Sequence, residues 1–213
     1  APIAIAKIRE YDATNPSAPF SDATEIEPLD RVYFDGRESY DPSVLPPDNP
    51  NALASYSWEV VEYPDGASVA DFDWMGQNTA LPSMWIPIAG HYVIRLTVTN
   101  DSGIQSGDTA EARVEFDVIP GSALHVQLVW DNATNDQDLH LVNVAQSANL
   151  CNQDWDCYFA NCNETDFDRV HWFTDEAASS GPNPRLDRDD TNGLGPENIN
   201  IDTPNPGTYR VYV

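Results

Sequence analysis

His91-Tyr-Val-Ile-Arg-Leu-Thr-Val-Thr99 decides the fold class of this chain. In an extended backbone, side chains two apart share a face, so Tyr92, Ile94, Leu96 and Val98 form one apolar row. Four such residues in perfect alternation predict a half-buried β-strand. The same period recurs on either side of it. Ser55-Tyr-Ser-Trp-Glu-Val-Val61 puts Tyr56, Trp58 and Val60 together, and Ala112-Arg-Val-Glu-Phe-Asp-Val118 does so with Val114, Phe116 and Val118. Arg31-Val-Tyr-Phe-Asp35 is a further candidate, and Ile3-Ala-Ile-Ala-Lys-Ile8 a weakly alternating opening strand. Short strands at this spacing, separated by turn residues, predict a β-sandwich over residues 1–119.

Pro120-Gly121-Ser122 reads as a short linker, and a second module is expected over 123–213. There Leu124-His-Val-Gln-Leu-Val-Trp130 aligns Leu124, Val126, Leu128 and Trp130. Asp138-Leu-His-Leu-Val142, Ile199-Asn-Ile201 and Tyr209-Arg-Val-Tyr-Val213 are its other strands, around a long polar and aromatic stretch from 143 to 184. No helix longer than about two turns has an apolar stripe. The expectation is an all-β chain of two tandem β-sandwich modules, with the second cut short at its C-terminus.

The 213 residues carry 35 acidic against 10 basic side chains, a formal net charge of −25. That field repels nucleic acid and anionic membrane surfaces, and both are set aside as partners. It is the signature of a solvated surface, of neutralisation by divalent cations, or of both. Disorder is excluded by a hydrophobic content of 41% with 6 Trp and 9 Tyr. No run is apolar enough to span a bilayer as a helix.

Oxygen ligands crowd one segment, Arg185-Leu-Asp-Arg-Asp-Asp-Thr-Asn-Gly-Leu-Gly-Pro-Glu-Asn-Ile199, where Gly193 and Gly195 let the backbone turn sharply. Trp130-Asp-Asn-Ala-Thr-Asn-Asp-Gln-Asp-Leu-His140 repeats the chemistry upstream. A hard cation such as Ca²⁺ requires many carboxylate and carbonyl oxygens. Alternation puts Asp136, Asp138 and His140 on one face while Leu139 and Leu141 enter the core. Carboxylates brought close repel unless protonated or bridged by a cation. The expected Ca²⁺ ligands are therefore Asp136, Asp138, Asp187, Asp190 and Glu197, with Asp131, Asp189 and Asn192 in reserve and Asp138 near Asp187. An Asx-rich turn without metal is the competing reading. Mg²⁺ suits the site less, since it keeps its waters.

Tyr33-Phe-Asp-Gly-Arg-Glu-Ser-Tyr-Asp-Pro42, Tyr56-Ser-Trp58, Tyr63-Pro-Asp-Gly-Ala67 and Ala89-Gly-His-Tyr-Val-Ile-Arg-Leu-Thr-Val-Thr-Asn100 occur in order. In that order they resemble the opening signature, core tryptophan strand, turn and closing strand of PKD-type, immunoglobulin-like domains. The resemblance implies an extracellular spacer or ligand-presenting module and not an enzyme. It also marks Asp35 and Asp41 as either a second Ca²⁺ position or turn caps, since Asp accepts backbone N–H bonds in turns.

In the second module, Leu128-Val-Trp-Asp131, Asp136-Gln-Asp-Leu-His140, Leu186-Asp-Arg-Asp-Asp190, Gly195-Pro-Glu-Asn-Ile199 and Gly207-Thr-Tyr-Arg-Val211 resemble a bacterial secreted-protein domain of little-assigned function. That domain follows PKD-type repeats in surface proteins and lipoproteins of δ-proteobacteria. The resemblance implies an extracellular or outer-surface location, with lipid anchoring through a segment preceding Ala1 as one arrangement.

Cys151, Cys157 and Cys162 lie close together. A zinc site would take His171 as a fourth ligand. In an acidic, secreted-type chain a disulfide is expected instead. Cys157–Cys162 is favoured over Cys151–Cys162 or Cys151–Cys157, and one thiol is left over. Trp155, Tyr158, Phe159, Trp172 and Phe173 crowd the same stretch. They pin a loop as a satellite core, or Trp155, Tyr158 and Trp172 stack on sugar rings. Catalysis has no motif behind it: no Ser sits in Gly-x-Ser-x-Gly, and acid pairs are too many to be diagnostic.

The sequence thus predicts a non-enzymatic structural or adhesive segment of a bacterial surface protein, stiffened by Ca²⁺. Its expected partner is a second copy of itself, joined through an open sheet edge. The alternative is a module that binds surface polysaccharide.

Overall fold

The computed structural model describes residues 1–9, 26–45, 48–49, 52–132, 134–163, 170–173, 181–191 and 193–213. Its contacts divide into two compact units, Ala1–Ile119 and Pro120–Val213. Both are built from antiparallel strands, and the described residues hold no helix beyond two three-residue 3-10 turns.

In the first unit, β1 (Lys7–Arg9), β2 (Arg31–Asp35), β3 (Ser55–Glu62), β4 (Trp74–Met75), β5 (Ser83–Trp85), β6 (Gly90–Thr99) and β7 (Arg113–Val118) form two sheets. The orders are β1-β2-β5-β4 and β3-β6-β7. The long alternating strand β6 is central in the second sheet. Its register sets Leu96 against Trp58 and Tyr92 against Phe116. Directly opposed residues share a face, so each pair faces inward together. The Tyr92 and Phe116 rings stack with centroids 5.6 Å apart. Val32 and Phe34 from β2 and Met84 from β5 join the same buried cluster. Two sheets closing one core make this unit a β-sandwich. The polar ends of its large core rings are satisfied: Trp58 Nε1 donates to the Thr79 carbonyl at 3.0 Å, and the Tyr92 hydroxyl donates to the Ile88 carbonyl at 2.8 Å.

The opening strand is shorter than the one expected over Ile3–Ile8. Only Lys7–Arg9 enters the ladder, while Ile3 makes an isolated bridge to Tyr40. The two-residue β4 and three-residue β5 carry too few residues to show a period, and only tertiary pairing defines them.

The second unit has two three-stranded sheets. β8 (Leu124–Leu128), β9 (His140–Asn143), β10 (Asp156–Cys157), β11 (Arg185–Arg188), β12 (Glu197–Ile201) and β13 (Tyr209–Tyr212) are arranged as β10-β9-β13 and β11-β12-β8. Leu139 and Leu141 from one side, with Leu186, Ile199 and Ile201 from the other, bury a second core. The strand predicted to reach Trp130 ends at Leu128. Trp130 instead donates its backbone N–H to Leu194 O and its indole N–H to Asn135 O, both at 3.0 Å. Cys157 and Cys162 form the expected disulfide, and the Cys151 thiol is free and exposed.

Candidate metal centre

β12 is the middle strand of its sheet, flanked by β11 and β8. Its residues Ile199 and Ile201 are fully buried in the core. Glu197 stands two residues before Ile199 and so shares its inward face. The result is a carboxylate with 1% exposure at the start of a core strand. Pro196 ahead of it is buried, and the chain arrives there through Gly195 at φ 91°. A Cβ on Gly195 would meet the Leu128 carbonyl at 2.9 Å and the Trp130 ring at 3.0 Å. This approach to β12 is open only to glycine, both in φ and in space.

Asp136 and Asp138 lie on the segment that leads into β9. Leu139, between the acids and the strand, is buried, and its N–H donates to Glu197 Oε2 at 2.7 Å. That bond draws the acidic segment onto β12. Asp136, Asp138 and Glu197 each place a carboxylate oxygen within 4.8 Å of the others. Oε2 of Glu197 accepts from the Leu139 N–H; Oε1 is buried and meets no N–H donor among the described residues, and the Asp189 carboxyl stands within hydrogen-bonding reach of the Glu197 carboxyl.

The electrostatics agree with this crowding. Burial, helped by the charge of Asp189, by a side-chain hydrogen bond shared with Asp189 and by the charge of Asp138, pushes the Glu197 carboxyl up to about 8, against the opposing Leu139 N–H. Asp138 is also raised, first by burial and then by Asp136 and Asp189, while His140 pulls the other way. Neighbouring carboxylate charge thus makes both Glu197 and Asp138 harder to ionise. A proton or a divalent cation relieves that repulsion, and the cation does so while adding bonds. An all-oxygen donor set with one buried carboxylate oxygen that meets no N–H donor fits Ca²⁺, which takes about six to eight oxygens including water.

Asp187 and Asp190, also in the expected set, are engaged elsewhere. Asp187 pairs with Arg185 at 2.9 Å and accepts the Asn200 side-chain amide, and it is not among the carboxylates that meet at Glu197. Asp190 Oδ2 accepts the Gly195 N–H at 3.1 Å, and its other oxygen lies 3.8 Å from the Arg188 guanidinium. This carboxylate shapes the glycine loop. Asp189 is half-buried and joins the cluster through its charge. Asp131 is exposed, and Asn192 lies outside the described residues.

Asp35 and Asp41 behave as turn caps. Asp35 Oδ1 accepts the Arg37 N–H at 2.8 Å, and its carboxylate pairs with the Arg37 guanidinium at 3.1 Å. Asp41 Oδ1 accepts both the N–H and the hydroxyl of Ser43, and Oδ2 accepts the Asn100 amide at 2.6 Å. Those bonds lower the Asp41 carboxyl to about 2.

The rings considered for sugar stacking are largely spent on the core. Tyr158 and Trp172 are buried, Trp172 stacks on Tyr209 with centroids 5.7 Å apart, and Trp155 packs half-buried against the same cluster. Among the described residues of the stretch, Phe159 and Phe173 are the exposed rings.

A second convergence was not foreseen from the sequence. A ring nitrogen of His140, the Cys151 sulfur and a carboxylate oxygen of Asp156 lie within 4.8 Å of one another. The available signal was a histidine on a predicted strand, an odd cysteine at 151 and an acid, Asp156, next to Cys157. Nothing local ties Asp156 to His140, because their strands pair across 16 residues.

No family model matches the chain, and no curated protein does. A solution structure of the PKD domain from KIAA 1837 protein is similar at 25% identity with a TM-score of 0.29. The likeness covers 49% of this chain and 87% of that one.

Proposed function

We propose that this chain is a non-enzymatic, extracellular structural or adhesive segment of bacterial surface type, in which Ca²⁺ stiffens the second unit. The first unit is read as a PKD-type spacer. Asp136, Asp138 and Glu197, supported by Asp189, hold the ion. The observation that carries this reading is Glu197: a buried carboxylate with an oxygen that meets no N–H donor among the described residues, joined by two further acids from the segment whose Leu139 lies 58 residues away in sequence. An uncompensated buried charge costs several kcal/mol, roughly, and structures rarely leave one without a proton or counter-ion. Binding would staple the segment before β9 to β12, across the two sheets of the unit. A cross-link of that kind suits a load-bearing or surface-presenting role.

Self-association is the partner reading that goes with it. β13 is an edge strand, with Val211 46% exposed, and an edge offers unpaired backbone groups to another copy.

The test is calorimetric titration of chelated protein with Ca²⁺, together with thermal melts. Saturable heat and a raised melting midpoint are expected, both lost in Glu197→Gln. Heat-free titration with an unchanged midpoint would remove the ion and the stiffening together.

A further inference from the structure

Beyond the calcium reading and independent of it, we infer that His140, Cys151 and Asp156 form a second metal site, selective for a borderline transition-metal ion of the Zn²⁺ class. The donors differ in kind from the acidic cluster. One imidazole nitrogen, one thiol and one carboxylate are offered, and their ligand atoms lie within 4.8 Å of one another. Tetrahedral Zn²⁺, with bonds of about 2.0–2.3 Å, spaces its donors roughly 3.3–3.8 Å apart, a range that falls within the 4.8 Å reach of these three ligand atoms. Sulfur and imidazole discriminate against Ca²⁺, which selects oxygen.

Asp156 supplies the independent observation. It is completely buried on β10. Its Oδ2 is saturated, accepting the Cys151 N–H at 2.6 Å and facing His140 Nδ1 at 2.8 Å. Its Oδ1 is buried and has no hydrogen-bond partner among the described residues. A carboxylate inside the protein that sits beside a thiol and an imidazole, and has one oxygen left without a partner among the described residues, asks for a cation.

The surroundings hold the donors in place. His140 opens β9 and stacks on Tyr158, with ring centroids 5.0 Å apart and planes 15° from parallel. Asp156 pairs with Val142 across β9 and β10. Cys151 sits on the loop between them, its N–H tied to Asp156 and its side chain open to solvent. A metal ion can therefore enter from the Cys151 side. Thiolate and carboxylate together neutralise a divalent charge, and water takes the fourth tetrahedral position. Binding releases the thiol proton, since thiolate is the ligand.

The experiment uses the whole chain with its disulfide intact and one titratable thiol. Co²⁺ is the spectroscopic probe, and Zn²⁺ competes with it. A thiolate-to-cobalt charge-transfer band is expected at one equivalent, displaced by Zn²⁺. Cys151→Ser should abolish the band and weaken Zn²⁺ binding on the order of 100-fold, with an unchanged far-ultraviolet spectrum because the residue is exposed. Glu197→Gln, which disables the calcium donors, should leave the band intact. Absence of the band, or equal Zn²⁺ affinity in Cys151→Ser, overturns the site. Neither result touches the calcium reading, whose own titration is scored separately.

Discussion

At the scale of single residues, Glu197 concentrates the chemistry of the second unit. Its ordinary value of 4.5 is raised to about 8, chiefly by burial. In the ion-free protein the folded state therefore keeps a proton that the unfolded chain gives up, between pH 4.5 and about 8. Stability must fall as pH rises through that window, by on the order of a few kcal/mol at most. Melting of chelated protein should show this decline, and saturating Ca²⁺ should remove it. Glu197→Gln should flatten the profile without any ion, because the amide has no charge to bury. A decline that persists in Glu197→Gln would assign it to another group. Asp41 behaves in the opposite sense. Its carboxyl is lowered to about 2 by Ser43 and Asn100, so its stabilisation is present above the ordinary 3.8 and is lost as pH falls toward 2. Asp41→Ala should leave the first unit less stable at neutral pH, with little further loss on acidification through that range. An acid profile identical to that of the parent protein would show the cap to be unimportant.

At the scale of elements, alternation and length separate what was legible from what was not. β6, β7 and β3 were read from the sequence with nearly their observed bounds, because each carries at least three apolar residues at period two. β4, β5 and β10 have two or three residues each, and β11 has four with Leu186 as its only buried side chain. Such strands exist because a neighbour pairs with them, and no local pattern announces them. The acidic loop before β12 shows the same division. Its glycines were readable as turn formers, but the reason for Gly195 is a positive φ held against Leu128 and Trp130. Gly195→Ala should destabilise the second unit by roughly 2 kcal/mol or more, through backbone strain and the close approach together. Denaturant unfolding checks this, and a loss below about 0.5 kcal/mol would mean that the loop relaxes freely. Divergence within the ligand set has a similar origin. Asp187 and Asp190 looked equivalent to Asp136 and Asp138 in composition. Arg185, Asn200 and the Gly195 N–H claim the first two, and none of these claims is visible from spacing.

At the scale of the whole molecule, two separate cores mean that ion binding has a local signature. Hydrogen exchange with and without Ca²⁺ should slow at Leu139, whose N–H meets Glu197, and along Glu197–Ile201. Amides of β6 in the first unit should exchange unchanged. Protection spread evenly over both units would point to general screening of the −25 charge in place of a bound ion. What the sequence determined by itself was the all-β class, the strong strands, the acidic character and the residue types suited to hard cations. These are properties of composition and of period two, which a chain carries whether or not it has folded. The tertiary structure alone decided which carboxylates meet, that Glu197 lies inside with one oxygen that meets no N–H donor among the described residues, and that His140, Cys151 and Asp156 converge. Those outcomes depend on pairing between segments far apart in sequence, such as Glu197 with Leu128 and with Leu139, and burial is set by what packs on a side chain, which its neighbours in sequence do not encode.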